Sequence, residues 1–416
     1  MIEPLWPEPT GGWLLARLAH EGESGEPLSR HQASLGTRPI GSAAMLAIIE
    51  ASGLRGRGGA GFPTGVKWRA VAQRSHGGAV VLVNGVEADP LSRKDRALIG
   101  SRPHLVLDGA IIAAESVRAT HVIIAINRGA ALARQALAIA LRERRERMRI
   151  DVVDVPSRYV AGEETALVQF VNGGPARPTV TPPRPFEKGV RGRSTLVQNA
   201  ETLAWAGLIA RRGDAWYRSL GTPASPGAVL LTVDGGVPRP GVYELPASAT
   251  IVDALGAAGC VDPSTLQAVL AGGYFGTWVT PVNERPLGKM GAGVILALPP
   301  ASCGLTETAR IMSYLAGESA QQCGPCFNGL PAVASAIAKI AVGQVRTAEV
   351  DRLRRWLTQL SGHRGACHHP DGAIDLLKSA LRAFEVDLNA HLQRGACRGS
   401  QAASLLPVAK PADGWR

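Results

Sequence analysis

Residues 53–68 read GLRGRGGAGFPTGVKW, with six glycines among sixteen residues, and Arg55, Arg57, Phe62 and Lys67 set among them. Glycine loses more backbone entropy on folding than any other residue, so a chain concentrates it where the main chain takes left-handed angles or approaches another group closely. Gly56, Gly58 and Gly61 formally satisfy G-x-G-x-x-G, but the dinucleotide fingerprint needs a strand directly before it. The preceding SAAMLAIIEASG has helical spacing instead. Context therefore excludes an ordinary Rossmann turn. Two readings remain: a plain surface loop, or a nest of backbone N–H groups for a phosphate, with Lys67 as a point charge and room for a flat ring.

Working outward, AVVLVN (79–84), HVIIAIN (121–127) and IDVVDV (150–155) predict buried strands. RGAALARQALAIALRERRER, between the last two, predicts a helix and so a crossover unit of a parallel sheet. Residues 173–185, GGPARPTVTPPRP, are too rich in proline for either regular element. From about 226 to 300 the pattern changes to short strands with glycine turns around one helix, a small β-grasp-like module. After LALPPASC it turns helical, with Leu377, Leu381, Phe384 and Leu388 spaced to line one face. The expected fold is thus α/β with a parallel sheet, then the β-grasp module and a helical bundle. The division is 1–30 as an extension, 31–220, 225–300, 301–395, and a mobile tail over 396–416.

With 416 residues, two to four domains are expected. No run of eighteen apolar residues exists, so no direct membrane span is expected. The first residues lack a basic start and apolar core, which points to the cytoplasm. In a reducing compartment the six cysteines, at 260, 303, 323, 326, 367 and 397, read as metal or redox groups where they cluster and as buried thiols elsewhere. A net charge of +11 invites a nucleic-acid reading, but the arginines are scattered and only five tyrosines and six phenylalanines are available for base stacking. No nucleic-acid partner is expected; an acidic protein partner is.

The glycine stretch resembles the flavin-binding signature of the NADH-oxidising flavoprotein subunit of respiratory complex I and its relatives in NAD-linked hydrogenases and formate dehydrogenases. VNGVEADPLSRKDR (83–96), YVAGEETALVQFVNG (159–173) and GRSTLVQNAETLA (192–204) resemble the same family in the same order. The 225–300 region is similar to that family's soluble-ligand-binding β-grasp module, and SCGLTETARIMSYLAGES leads into a segment like its helical cluster-binding domain. The resemblance implies an electron-transfer subunit that oxidises NADH or NADPH through FMN and passes single electrons to an iron–sulfur cluster or a ferredoxin-like partner. It implies that Gly56, Arg57, Gly58, Gly59, Gly61, Lys67, Asn84, Glu87, Gly162, Glu163, Glu164 and Asn199 hold FMN. Ala60, Phe62, Asp89, Glu164 and Arg184 would contact the nicotinamide nucleotide. Without that resemblance, Glu163 and Glu164 read as a solvated helix start.

In ESAQQCGPC (318–326), Cys323 and Cys326 read literally as a thioredoxin-type dithiol, yet a helical segment precedes them where that motif expects a strand. By resemblance they are two ligands of a [4Fe-4S] cluster, Cys367 is another, and Ala320 stands where the family has the first cysteine. Four thiolates are the usual complement. The remaining options are three cysteines with His363, His368, water or Cys303, a [3Fe-4S] cluster, or no cluster. The nucleotide side departs as well: Val86 replaces an aspartate, Asp89 a glutamate and Gln198 an asparagine, while Thr181 and Arg184 replace a lysine and a stacking phenylalanine. Loss of that ring is expected to cost roughly 0.5–1.5 kcal/mol of stacking, and Arg184 could favour the extra phosphate of NADPH. These departures keep a second reading open, a flavoprotein-like scaffold or assembly subunit with little turnover.

Overall fold

Val80 to Val83 and Val122 to Ile126 are uninterrupted β-branched and aliphatic runs, which suit strands covered on both faces. In the computed structural model, which describes residues 25–282, 285–408 and 414–416, they are the two central strands of a four-stranded parallel sheet. The strands are β1 (Ala79–Gly85), β2 (Ala119–Asn127), β3 (Arg149–Val155) and β4 (Thr195–Asn199). Their order is β3-β2-β1-β4, and each neighbouring pair is parallel. The chain moves outward from β1 to β3, then returns to the other side of β1. That reversal leaves a crevice beyond the carboxyl ends of β1 and β4, where ligands bind in open α/β sheets. Asn84 and Asn199 are register partners at its mouth.

One face of the sheet is covered by the helix Pro103–Ser116, buried along nearly its whole length, and by Ala200–Ser219. The two cross so closely that a Cβ on Gly109 would overlap the Leu203 carbonyl. The helix Ala131–Glu143 forms the expected crossover and ends before the arginine-rich segment that follows it.

Five further strands make a second sheet: β5 (Ala228–Gly235), β6 (Gly241–Pro246), β7 (Ala268–Ala271), β8 (Thr277–Val279) and β9 (Val294–Leu298). Their order is β6-β5-β9-β7-β8, with β5 and β9 parallel and the other pairs antiparallel. The helix Ile251–Ala257 starts in a Thr250/Asp253 capping box and closes a separate apolar cluster against this sheet.

The chain from Gly304 onward is helical. Leu377, Leu381, Phe384 and Leu388 are all buried, but they do not lie on one helix: the run breaks at Phe384, with φ −111° and ψ 32°. The expectation of a mobile tail is also overturned for the described part of it. Leu406 is buried, the Tyr274 hydroxyl donates to the Pro407 carbonyl at 2.7 Å, and Trp415 packs under the guanidinium groups of Arg158 and Arg177. An indole against two cations in a partly desolvated place supplies an anchor that tail composition alone does not reveal. Most of the 1–30 extension lies outside the described residues. Among the described residues no single helix is long and apolar enough to cross a membrane.

Candidate functional site

The glycine loop joins the helices Ala43–Ala51 and Thr64–Arg74 and is closed by a hydrogen bond from the Gly56 amide to the Phe62 carbonyl, 2.8 Å. The segment before it is helical, as the spacing requires. Gly59 and Gly61 take φ values of 107° and 60°, where a side chain would be strained. Gly58 rests 3.4 Å, at a virtual Cβ, from Asn199 Cβ. Among the described residues, nothing accepts from the amides of Gly58, Gly59, Ala60 and Gly61. Four successive donors on one exposed loop are thus free to meet an anion.

Around the carboxyl ends of β1 and β4 the polar groups are wired to one another. Asn84 Nδ2 donates to the Gly162 carbonyl at 2.8 Å. Glu163 caps the helix Glu164–Val171 by accepting from the amides of Thr165 and Ala166; burial raises its pKa, and those hydrogen bonds only partly oppose the rise. Lys67 Nζ meets Glu164 Oε2 at 2.8 Å, tying the glycine-loop helix to that motif. Asn199 caps Ala200–Ser219 and gives its Nδ2 to Asp95 at 2.7 Å. Gln198 is buried beside Gly56, and its Oε1 has no partner. A buried acceptor left unpaired is costly in a finished protein and normal in one that awaits a ligand. The unpaired amides, the cation at Lys67 and this orphan acceptor fit a flat group with a phosphate tail, as FMN is.

Three expected ligands are engaged elsewhere. The Arg57 guanidinium turns inward, donating to Tyr217 and to the Ala228 carbonyl, both at 3.0 Å. Glu87 caps the helix Lys94–Ser101 through the amides of Asp95 and Arg96 and accepts from Ser92. Burial, then the neighbouring Asp95, raises its pKa. Asp89 lies between the two sheets, accepting from the amides of Leu91 at 3.0 Å and Tyr274 at 2.6 Å; burial pushes its carboxyl up to about 6. Its hydrogen bonds tie the segment after β1 to the turn between β7 and β8.

Ala60 and Phe62 stand exposed on the loop, and Arg184 is exposed in the proline-rich segment with its amide bonded to Glu187. Gly56, Arg57, Gly59, Ala60 and Gly61 border a cavity of about 460 Å³ shared with β5 and the β9 approach, which Lys67, Asn84 and Glu164 do not line. The free loop amides and the orphan Gln198 Oε1 are donor and acceptor groups without protein partners in the described residues.

Sequence reasoning missed Lys94, although it lies in the quoted VNGVEADPLSRKDR. The residue is 3% exposed, and its ammonium bridges Asp95 at 2.9 Å and Glu201 at 2.8 Å. Burial alone would lower its pKa, but the two carboxylates override that and raise it. The signal available was four charged residues in a row, Arg93-Lys94-Asp95-Arg96, entering a helix that continues with Ala97, Leu98 and Ile99.

The cysteine turn follows the helix Gly304–Gly317, and Pro325–Gly329 forms one wide π-helical turn before Leu330–Ala341. Cys323, Cys326 and Cys367 come together: burial pushes the Cys326 thiol up, with the neighbouring Cys323 and Cys367 sulfurs adding to the rise. Burial likewise drives Cys367 up to about 11. Ala320 is buried beside them and Gln321 holds a left-handed φ of 56°. Three converging thiols fit an iron–sulfur cluster with one corner not held by cysteine. His363 and His368 stand exposed next to Cys367, grouped around Asp371. Cys303 is engaged elsewhere, 3.8 Å from His391 Nε2.

Residues 49–206 match the family model described as the Nuo51 FMN-binding domain, and 306–391 the one described as the NADH-ubiquinone oxidoreductase-F iron-sulfur binding region. The F subunit of the NADH-quinone oxidoreductase of Salmonella typhimurium is 30% identical over 372 residues, covering 83% of this chain and 84% of that protein. Its counterpart in Aquifex aeolicus is 32% identical over 315 residues, covering 71% and 74%. The F 2 subunit of the Rhizobium meliloti NADH-quinone oxidoreductase is 28% identical over 406 residues, covering 90% and 96%. Among solved structures, a chain of an NAD+-reducing [NiFe]-hydrogenase in the H2-reduced state superimposes with a TM-score of 0.77 at 31% identity, covering 85% of this chain. The chain spans 63% of that hydrogenase chain's length.

Proposed function

The chain belongs to the family of NADH-quinone oxidoreductase F subunits, and from that premise we propose how its own residues divide the work of an NADH-oxidising, electron-transferring flavoprotein subunit. FMN, when bound, supplies the conversion of a two-electron hydride donor into single electrons. The amides of Gly58 to Gly61 take the phosphate oxygens and Lys67 neutralises their charge. Gln198 Oε1 would be free to accept from the flavin. Asn84, Gly162, Glu163 and Asn199 hold the walls in place through their mutual hydrogen bonds, so they position the flavin without each having to touch it. Phe62 and Ala60 offer the exposed apolar edge of the loop to a nicotinamide ring, and Arg184 a cation to the distal phosphates.

The unpaired loop amides, with an orphan acceptor on the buried Gln198 beside Gly56, support this reading. Cys323, Cys326 and Cys367 hold the cluster, and we assign its fourth corner to a non-cysteine ligand or to none, as in a three-iron cluster. The net charge of +11 suits an acidic, ferredoxin-like acceptor that docks by steering.

Anaerobic titration of FMN-loaded protein tests the reading. NADH or NADPH is expected to bleach the flavin absorption within seconds. Protein that binds FMN and does not bleach with either nucleotide would be the scaffold instead.

A further inference from the structure

We propose that Cys303, His391 and Cys397 form a binding site for a thiophilic divalent cation of the zinc class, which pins the C-terminal segment to the helical module. Cys303 directly precedes the helix Gly304–Gly317 and is 2% exposed. His391 lies in the last turn of Glu385–Arg394, and Cys397 opens the segment beyond it. Their three ligand atoms lie within 4.8 Å of one another. Cys303 Sγ is 3.8 Å from His391 Nε2. A tetrahedral zinc ion with its usual bond lengths sets such a pair about 3.6 Å apart, so a contraction of tenths of an ångström seats the ion.

The imidazole is prepared for the task. Its Nδ1–H donates to the Ile340 carbonyl at 3.1 Å, which leaves Nε2 as the acceptor facing the sulfurs. Metal-ligating histidines are oriented this way, with the far nitrogen donating to a backbone carbonyl. Nε2 now accepts from the Cys397 amide at 3.2 Å, and the ion would take that lone pair over. Two thiolates and a dication sum to zero charge, which a largely buried place tolerates. Ser400 Oγ, 3.5 Å from Cys397 Sγ, or a water completes the fourth position.

Such an ion would join chain positions 303, 391 and 397 ahead of the segment that buries Leu406. The site shares no residue with the cysteine turn, and its test is independent of cluster or flavin. Full-length protein, stripped by chelator and reduced, is titrated with Co2+. We expect thiolate-to-cobalt charge-transfer absorption and one tetrahedral ion per chain. Cys397→Ser, on the half-exposed ligand, should abolish it, while Cys323→Ser/Cys326→Ser should keep it.

Zinc should also slow amide exchange over residues 396–408 by about tenfold or more in wild type and leave Cys397→Ser unchanged. The proposal fails if cobalt binding is lost with Cys323→Ser/Cys326→Ser and kept in Cys397→Ser. It fails equally if the reduced protein binds no cobalt and the untreated protein carries a Cys303–Cys397 disulfide.

Discussion

At the carboxyl end of the four-stranded sheet, the groups proposed to hold the flavin are main-chain amides and side chains already held by helix starts: Glu163 and Asn199 each cap a helix, and Asn84 is fixed to the Gly162 carbonyl. At the cysteine turn each ligand is one sulfur atom, and nothing in the backbone can stand in for it. The two ends therefore respond differently to sequence change. Val86, Asp89, Gln198 and Arg184 depart from the family pattern around the flavin end and leave a loop with free donors. Ala320 alone removes a quarter of the thiolate set. A site built from backbone tolerates drift in its side chains; a site built from discrete ligands does not.

The sharpest way to break that comparison is to cut the discrete end further. Cys326→Ser should drop reconstituted iron to background while flavin content per chain stays at the wild-type level. Ala320→Cys should do the reverse, raising iron per chain and moving the EPR signal from the oxidised to the reduced state, as a three-iron cluster becomes a four-iron one. Iron analysis with EPR checks both. Flavin lost from Cys326→Ser would mean that the two ends are not independent.

Next in size is the buried ammonium beneath the flavin end. Lys94→Met leaves Asp95 and Glu201 buried without their shared cation, and breaking such a network costs about 3–5 kcal/mol. A urea melt should show it as a lower midpoint with unchanged slope. A variant within 1 kcal/mol or so of wild type would mean that the carboxylates take up protons and that the wiring is softer than the distances imply.

Much of this was legible in the sequence, for identifiable reasons. β1 and β2 could be read because short β-branched and aliphatic runs suit strands covered on both faces. The glycine loop was legible as a loop other than a Rossmann turn, because a helical pattern precedes it and its glycines permit positive φ. The structural roles of Arg57, Glu87 and Asp89 were not legible. Each is a charged residue in a ligand-binding motif, and nothing local says that Arg57 turns toward Tyr217 or that Asp89 meets Tyr274, 185 positions later. The packed tail escaped for a related reason: one tryptophan decides it.

Asp89 offers a pH test of that hidden contact. Its carboxyl is raised from its ordinary value to about 6, so the fold favours its protonated form. That contribution is complete below about pH 4 and is lost as pH rises through 6. The loss is roughly 2–3 kcal/mol across the window. Asp89→Asn should flatten the stability difference between pH 4 and 6 relative to wild type, since Glu87 and Glu163 titrate in both proteins. Parallel denaturant midpoints across that range would remove Asp89 from the account.

Lys67→Ala should have the smallest effect on stability and is the most telling about the flavin end. Its pair with Glu164 is about a quarter exposed on each side, and partly solvated pairs contribute about 0–1 kcal/mol. Removal should therefore barely move the melting midpoint. If the ammonium's task is to neutralise a phosphate over the loop amides, FMN affinity should still fall about tenfold or more, the scale of one charge-assisted hydrogen bond. The fall should lessen for riboflavin, which lacks the phosphate. Equal losses for both flavins would move the cation's role from the phosphate to the ring, while the backbone amides of Gly58 to Gly61 would keep theirs.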